Sequence, residues 1–224
     1  MANFASEEKK ARRKAEILAA SIEVFSSQGF HKAGIADIAK QLNIGHGTIY
    51  RYFKNKRDIF NAILADLLGQ MAEIVMQEPP NTDSLDEYAG QLQRIADGLL
   101  TIFNRDPRLA KIAFYESLGV DPEATESVEH LLSVFAQFTE QYMKNGIDKG
   151  FLRATMNTRI AANLVTAMLV ETIKKVAAND VTDQSEIEAW RQEVIQFMIG
   201  GLGRISADSL KESYWASSLA LSAI

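Results

Sequence analysis

The sequence predicts an all-α protein of about nine helices, and three observations carry that expectation. Apolar residues recur at three- and four-residue spacing through most of the 224 positions. No run of β-branched residues alternates long enough to make a strand. Glycine and proline fall where helices stop or start, as at Gly29, Pro79-Pro80, Asp106-Pro107 and Asp121-Pro122. There is no repeat, heptad array or low-complexity tract.

The first helix spans residues 7–28, with Ile17, Leu18, Val24 and Phe25 on one stripe and Ser21 between them. Gly29 then reads as a C′ glycine, and Phe30 as the apolar residue that folds back on the last turn. A short stripe of Ile35, Ile38, Ala39 and Leu42 is followed by Asn43-Ile44-Gly45 and a third segment over 46–53. Beyond Asn55 a longer helix carries Ile59, Phe60, Ile63, Leu64, Leu67, Leu68, Met71, Ile74 and Val75, until Pro79-Pro80 ends it. Asp83 or Ser84 caps a stripe of Leu85, Tyr88, Leu92, Ile95, Leu99 and Phe103, closed by Asp106-Pro107. Pro107 opens a short helix ending at Gly119, and Asp121-Pro122 repeats the pattern of a cap followed by proline at the first helical position. That helix carries Val128, Leu131, Leu132, Phe135, Phe138 and Tyr142 and is expected to stop at Asn145-Gly146. After Gly150-Phe151-Leu152 come two last long helices, one with Ile160, Leu164, Met168, Leu169, Ile173 and Val176, the other with Ile187, Trp190, Val194, Phe197 and Met198. The uncharged tail, residues 213–224, reads either as an extra packed helix or as a disordered apolar end.

Composition removes several classes of chemistry. Hydrophobic residues make up 47% and charged residues 24%, a globular balance. Without cysteine there is no disulfide scaffold, thiolate metal site or thiol nucleophile. His31, His46 and His130 lie far apart in sequence, so no metal and no cofactor are expected. A glycine-rich phosphate loop and a nucleophile elbow are both lacking, which argues against an enzyme. The longest uncharged apolar run in the interior of the chain, residues 160–170, is shorter than the roughly 20 residues a membrane span needs. The N-terminus lacks the apolar stretch of a signal peptide, so a cytoplasmic protein is expected.

Charge is distributed unevenly beneath a net −5. The first sixty residues hold eleven Lys and Arg against six Asp and Glu; the remainder holds thirteen against twenty-three. A basic end on an acidic body suits local anion binding, although a solvated basic face explains the charge alone equally well.

The segment 34–53 gives that basic end a shape. Two helices of about eight residues separated by a tight turn are the layout of a helix-turn-helix, whose second helix enters the major groove of DNA. Asn43 suits the left-handed position after the first helix, Ile44 anchors the turn, and Gly45 begins the second helix. Ile38, Ala39, Leu42, Ile44, Ile49 and Phe53 supply a small core between the helices. His46, Gly47, Thr48, Tyr50, Arg51 and Tyr52 are left facing outward, followed by Lys54, Lys56 and Arg57. These side chains offer hydroxyls, a guanidinium fork and point charges to bases and phosphates. Lys56 also stands at a helix start, where free amides add to a phosphate contact.

The run Ile35-Ala36-Asp37-Ile38-Ala39-Lys40, then Gly47-Thr48-Ile49-Tyr50-Arg51-Tyr52-Phe53-Lys54-Asn55-Lys56, then Ile59-Phe60 resembles the DNA-binding domain of the TetR family of bacterial transcriptional regulators. The resemblance covers roughly residues 10–65. It implies a helix-turn-helix domain over 1–56 and a ligand-binding and dimerisation domain over 57–224. It also implies that Thr48, Tyr50, Tyr52 and Lys56 contact operator DNA, with Gly34, His46, Arg51 and Lys54 completing the candidate DNA-binding set. Three positions depart from the family pattern: Gly34 where a capping threonine is frequent, Gly45 where serine is, and His46 where lysine is. The two glycines forgo side-chain caps, which loosens the motif by a few tenths of a kcal/mol each.

Partners implied by the resemblance are a double-stranded DNA operator, a second copy of the chain and a small-molecule effector, with no membrane. The reading that follows is a repressor released from a palindromic operator by its effector; action through a protein partner, or as an activator, is the alternative. The dimer interface is expected on residues 158–178 and 185–200, through Leu164, Met168, Trp190, Val194, Phe197 and Met198. Candidate ligand residues are Phe103, Tyr115, Glu116, Phe135, Phe138, Met168 and Glu171. The apolar ones among them serve equally well as plain core. Glu116 and Glu171 are unusual as carboxylates in apolar stretches, which must be paired, solvated or protonated.

Overall fold

Two left-handed residues shape the N-terminal end of the chain. Gly29 takes φ 80° and donates its N–H to the Phe25 carbonyl at 2.9 Å, ending the first helix so that Phe30 turns back onto Phe25, ring centroids 5.5 Å apart. Asn43 takes φ 51°, a conformation its short polar side chain tolerates, and Ile44 N–H then closes on the Ala39 carbonyl at 3.0 Å. Both turns follow the sequence expectation.

The structure, a computed structural model, describes residues 2–116, 122–177 and 184–202. Among these residues the chain forms nine α-helices and no strand. In order they are α1 (Ala2–Gln28), α2 (Ile35–Gln41), α3 (His46–Tyr50), α4 (Lys56–Met76), α5 (Leu85–Arg105), α6 (Arg108–Lys111), α7 (Pro122–Asp148), α8 (Thr158–Ala177) and α9 (Gln184–Leu202). A π-helical turn, Ile112–Glu116, extends α6. The expected end at Gly119, the cap at Asp121 and the tail 213–224 lie outside the described residues.

Buried side chains form one continuous core from α1 to α9. At its N-terminal end Phe25, Phe30 and Phe60 pack as a triad, with Phe30 and Phe60 edge to face at 4.9 Å. Ile38, Ala39 and Ile49 seat α2 and α3 on this triad and on α1. Among the described helices only α4 has the length and apolarity of a membrane span. It uses them in the core instead: Ile59, Phe60, Ile63, Leu64, Leu67, Met71 and Val75 are all buried. Asn55 caps its start by accepting from Asp58 N–H at 2.9 Å.

Several boundaries differ from expectation for physical reasons. The first helix begins at Ala2 rather than at Glu7. Ser84, not Asp83, caps α5, its Oγ accepting from Glu87 N–H at 3.2 Å. Recognition helix α3 stops at Tyr50, and Tyr52 and Phe53 continue in a turn whose amides bond to the Ile49 carbonyl. Asn145-Gly146 does not end α7, because both residues serve tertiary packing. Asn145 Nδ2 donates to the Thr82 carbonyl at 2.8 Å, and Gly146 leaves room for buried Leu152. The turn comes later, at Gly150 with φ 81°.

A Cβ on Gly146 would lie 2.5 Å from Leu152 Cδ1 and 2.8 Å from the Phe151 ring. Gly146→Ala is therefore expected to destabilise the chain by about 1–3 kcal/mol through overpacking. Urea denaturation would show it as a lower midpoint at unchanged slope.

Candidate DNA-binding head and interior cavity

The short helix α3 presents the predicted DNA-reading side chains to solvent. His46, Gly47, Tyr50, Arg51 and Lys54 are exposed, Tyr50 to 56%, while Thr48 and Tyr52 are half-buried. Ile49 is fully buried between them and fixes which face of α3 points outward. Gly45 and Gly47 have open space where a Cβ would stand, so neither glycine is required by packing inside the protein. Gly34 opens α2 without a side-chain cap, yet its N–H donates to Asp37 Oδ2 at 2.8 Å. Asp37 thus supplies the reciprocal half of a capping box and offsets part of the missing threonine.

Lys56 occupies a different place from the one the family pattern implies. Its Nζ donates to the carbonyls of Phe30 at 2.7 Å, Ala33 at 2.9 Å and His31 at 3.3 Å, and lies 4.5 Å from the centre of the Phe30 ring. Partial burial lowers its pKa from the ordinary lysine value. Three acceptors match the three protons of an ammonium, so Lys56 holds the α1–α2 connection against the start of α4 rather than reaching outward.

The second feature is an interior cavity enclosed by α5, α7, α8 and α9 with the end of α4. The cavity holds about 70 Å³ and opens to solvent at one side. Val75, Leu92, Ile95, Leu99, Phe135, Phe138, Val165, Leu169, Val194 and Met198 give it apolar walls. Its hydroxyl groups are already committed: Tyr142 donates to the Glu78 carbonyl at 2.6 Å, Thr139 to the Phe135 carbonyl and Thr172 to the Met168 carbonyl. Burial pushes the Tyr142 pKa up to about 12, which keeps it a neutral donor. Among the described residues Arg191 is the single charged one in the lining. The lining matches that of the usual small-molecule site, mostly apolar with few polar groups, while the space itself is narrow and must widen to take more than a small group.

Of the predicted ligand residues, the cavity gathers Phe135 and Phe138. Phe103 shares the face of α5 that carries Leu92, Ile95 and Leu99 but stands one turn beyond the cavity, sealed in the core beside Phe114 with ring centroids 6.2 Å apart. Met168 packs against the core without reaching the lining. Glu171 is solvated, in a shallow surface cleft with Glu129, Asn163 and Lys174, which resolves how a carboxylate sits in that apolar stretch. The side chains of Tyr115 and Glu116 lie outside the described residues. Arg191 was hidden in the sequence among the charged residues of α9, and only the fold brings it to the cavity.

The expected interface residues divide in the same way. Leu164 is 62% and Phe197 72% exposed, whereas Met198 is buried and, with Val194, turns into the cavity wall. Phe197 and Met198 sit about 100° apart around the helix, which lets Met198 face inward while Phe197 faces out. Met168 and Trp190 are half-buried. Ile160, Leu164, Ala167 and Glu171 make an exposed stripe at helical spacing along α8.

Comparison with known proteins agrees with this arrangement. Residues 17–63, covering most of the helix-turn-helix head, match the family described as bacterial regulatory proteins, tetR family. The fatty acid metabolism regulator protein of Bacillus subtilis is 24% identical over 187 residues, covering 84% of this chain and 94% of its own. Two solved structures share the fold. The fatty acid degradation regulator FadR from Bacillus halodurans superposes with a TM-score of 0.70 at 22% identity, over 84% of this chain and 98% of that one. FadR from Bacillus subtilis, solved in complex with stearoyl-CoA, gives 0.66 at 21% identity over the same shares. The family match over the helix-turn-helix head, relatives that are themselves transcriptional regulators and the shared fold of the body support a DNA-binding regulator of the TetR family.

Proposed function

We propose that the protein is a cytoplasmic dimeric repressor whose two heads bind a palindromic operator and whose affinity for it falls when an elongated apolar molecule, such as a long-chain acyl group, enters and widens the interior cavity. The observation that carries this reading is the apolar cavity itself, which shares α4 with the DNA-binding head. Val75 lines the cavity near one end of α4, and Lys56 grips the head at the other. At 1.5 Å rise per residue those positions are about 28 Å apart, so a small tilt at the cavity becomes a displacement of the head. An effector acts only if it binds the displaced state more tightly than the DNA-bound one. The stearoyl-CoA held by the Bacillus subtilis relative supports an acyl ligand class.

Dimerisation rests on the apolar surface left on α8 and α9, where Ile160, Leu164 and Phe197 are exposed. Large side chains of this kind supply interface anchor area. Paired heads then sit in successive major grooves about 34–36 Å apart, one helical turn of DNA.

The head and the cavity make separate predictions. Arg51→Ala is expected to weaken binding to an operator selected from a random duplex pool. If Arg51 contacts a phosphate, the log–log salt slope drops by about 0.9 while thermal stability is kept. Lys56→Met is expected to act on stability instead, by about 1–3 kcal/mol, because it strips acceptors of their donor; an unaltered melting temperature would contradict the clamp. For the cavity, palmitoyl-CoA is expected to release the selected operator in a mobility-shift titration. Retention of DNA at saturating palmitoyl-CoA, with binding shown by calorimetry, would sink the proposed release mechanism.

A further inference from the structure

The positive charge of the head is not carried mainly by its recognition helix. Of the eleven Lys and Arg in the first sixty residues, five stand on α1, at Lys9, Lys10, Arg12, Arg13 and Lys14, ahead of the residues 17–63 that match the family. Lys56, a sixth, is spent on carbonyls inside the head. The early turns of α1 also have no core beneath them. Ile17 is the first buried side chain among the described ones of this helix, and residues 7–12 are all exposed.

Contacts at two places fix where this segment points. The Lys14 ammonium lies 5.5 Å from the centre of the Phe53 ring, which sets this part of α1 beside the turn between α3 and α4, where Lys54 is exposed. Farther along the helix, Glu23 pairs with Arg108 and the Ser26 carbonyl accepts from Lys111, so it is the second half of α1 that meets the body. Lys9 precedes Glu23 by fourteen residues, about 21 Å along the axis at 1.5 Å per residue. The first turns therefore overhang the head away from the body, continuous with the face that carries the DNA-reading side chains.

The charge on this overhang has few internal partners. Arg12 and Arg13 share one carboxylate, that of Glu16, at 3.9 and 2.7 Å. Lys9 and Lys10 make no ion pair among the described residues. Residues 7–16 carry five positive side chains against Glu7, Glu8 and Glu16. Helical spacing puts Lys9, Lys10, Arg13 and Lys14 on one face, with like charges three and four residues apart, an arrangement that weakens a helix standing alone. Duplex phosphates, about one charge per 1.7 Å of axis, relieve that repulsion.

Resting on the head being the DNA-binding part, we infer that the first turns of α1 are a second DNA-contact surface, on which Lys9 and Lys10 bind backbone phosphates apart from those met by the recognition helix. Lysine meets a phosphate as a point charge and reads no base, so this surface adds affinity without adding sequence preference. Lys14 braces the overhang on Phe53, and Glu16 holds Arg13 behind it.

Fluorescence anisotropy of the full chain on an operator selected from a random duplex pool, and on an unrelated duplex of equal length, tests this over about 50–200 mM salt. In the double variant Lys9→Gln, Lys10→Gln the log–log salt slope is expected to fall by about 1.8 per head on both duplexes, and operator affinity at the upper salt limit by about tenfold or more. The ratio of operator to unrelated-duplex affinity is expected to stay within about twofold, because phosphate contacts carry no sequence information. Lys9→Arg, Lys10→Arg is expected to keep the wild-type slope. Both lysines are exposed, so the melting temperature is expected to hold in every variant. An unchanged slope in the Gln variant overturns the inference while leaving the head as the DNA-binding part. A slope lost together with the operator preference overturns it as well, since that marks a displaced recognition helix. If the wild-type chain selects no duplex at all, the reading of the head falls and the inference with it.

Discussion

The continuity of α4 is the constraint on which the rest of the structure depends. One helix supplies Ile59 and Phe60 to the core beneath the DNA-binding helices and Val75 to the wall of the cavity, with no break between them. Its hydrogen bonds and its buried stripe make it move as a body, so the two ends cannot respond independently. Lys56 gives this body its grip on the head. An ammonium shared by three carbonyls and seated on the Phe30 ring fixes the α1–α2 connection to the first turn of α4, where apolar contact alone would permit sliding. A second tie reaches the head from the other side: Arg108 of α6 pairs with Glu23 of α1, and Lys111 Nζ donates to the Ser26 carbonyl. The head therefore hangs from the body at two places, through α4 and through α6.

Against this firm mounting, the recognition helix itself is weakly built. It has five residues, begins at a glycine without a side-chain cap and carries a second glycine at its second position. A helix this short has little stability of its own. What holds α3 is tertiary: Ile49 is buried without remainder and Phe53 is anchored beneath Lys14, whose ammonium lies 5.5 Å from the ring centre. Glycines at 45 and 47 keep the outward surface low, which lets backbone come near a phosphate or a groove wall at the cost of local rigidity. Such a helix can finish ordering against DNA, while α4 sets where that ordering takes place.

How much of this was legible in the sequence depends on the range of the interactions concerned. The head was readable because its determinants are local: Gly29 and Asn43 announce their turns, and the outward set from His46 to Arg51 follows from helical spacing around Ile49. The fold class was readable for the same reason. Lys56 was misplaced because its partners lie 23 to 26 residues earlier in the chain, and nothing local distinguishes a lysine that points to phosphate from one that turns back to carbonyls. Asn145-Gly146 was misread as a helix end because the turn signal and the close-packing role use the same residues. The cavity was least legible, since a cavity wall and a solid core are both made of Leu, Val and Phe at helical spacing. Phe103 and Phe135 look alike in sequence; one is sealed against Phe114 and the other lines the space.

If the cavity is the effector site, its polar edge limits what kind of signal the protein reads. An apolar space in the body responds to the length and bulk of a chain, and burial energy of this kind varies smoothly with each methylene. A chain-length response alone therefore separates neighbouring lengths only weakly. Chemical identity must come from directional groups, and the fold commits the hydroxyls of Thr139, Tyr142 and Thr172 to its own backbone. Among the described residues Arg191 is the one charged side chain on the cavity wall, held by Asp97 of α5 and by Glu188 of its own helix. It ties α9 to α5, and α5 packs in turn on α4, so the wall of the cavity and the helix that runs to the head belong to one connected set of contacts.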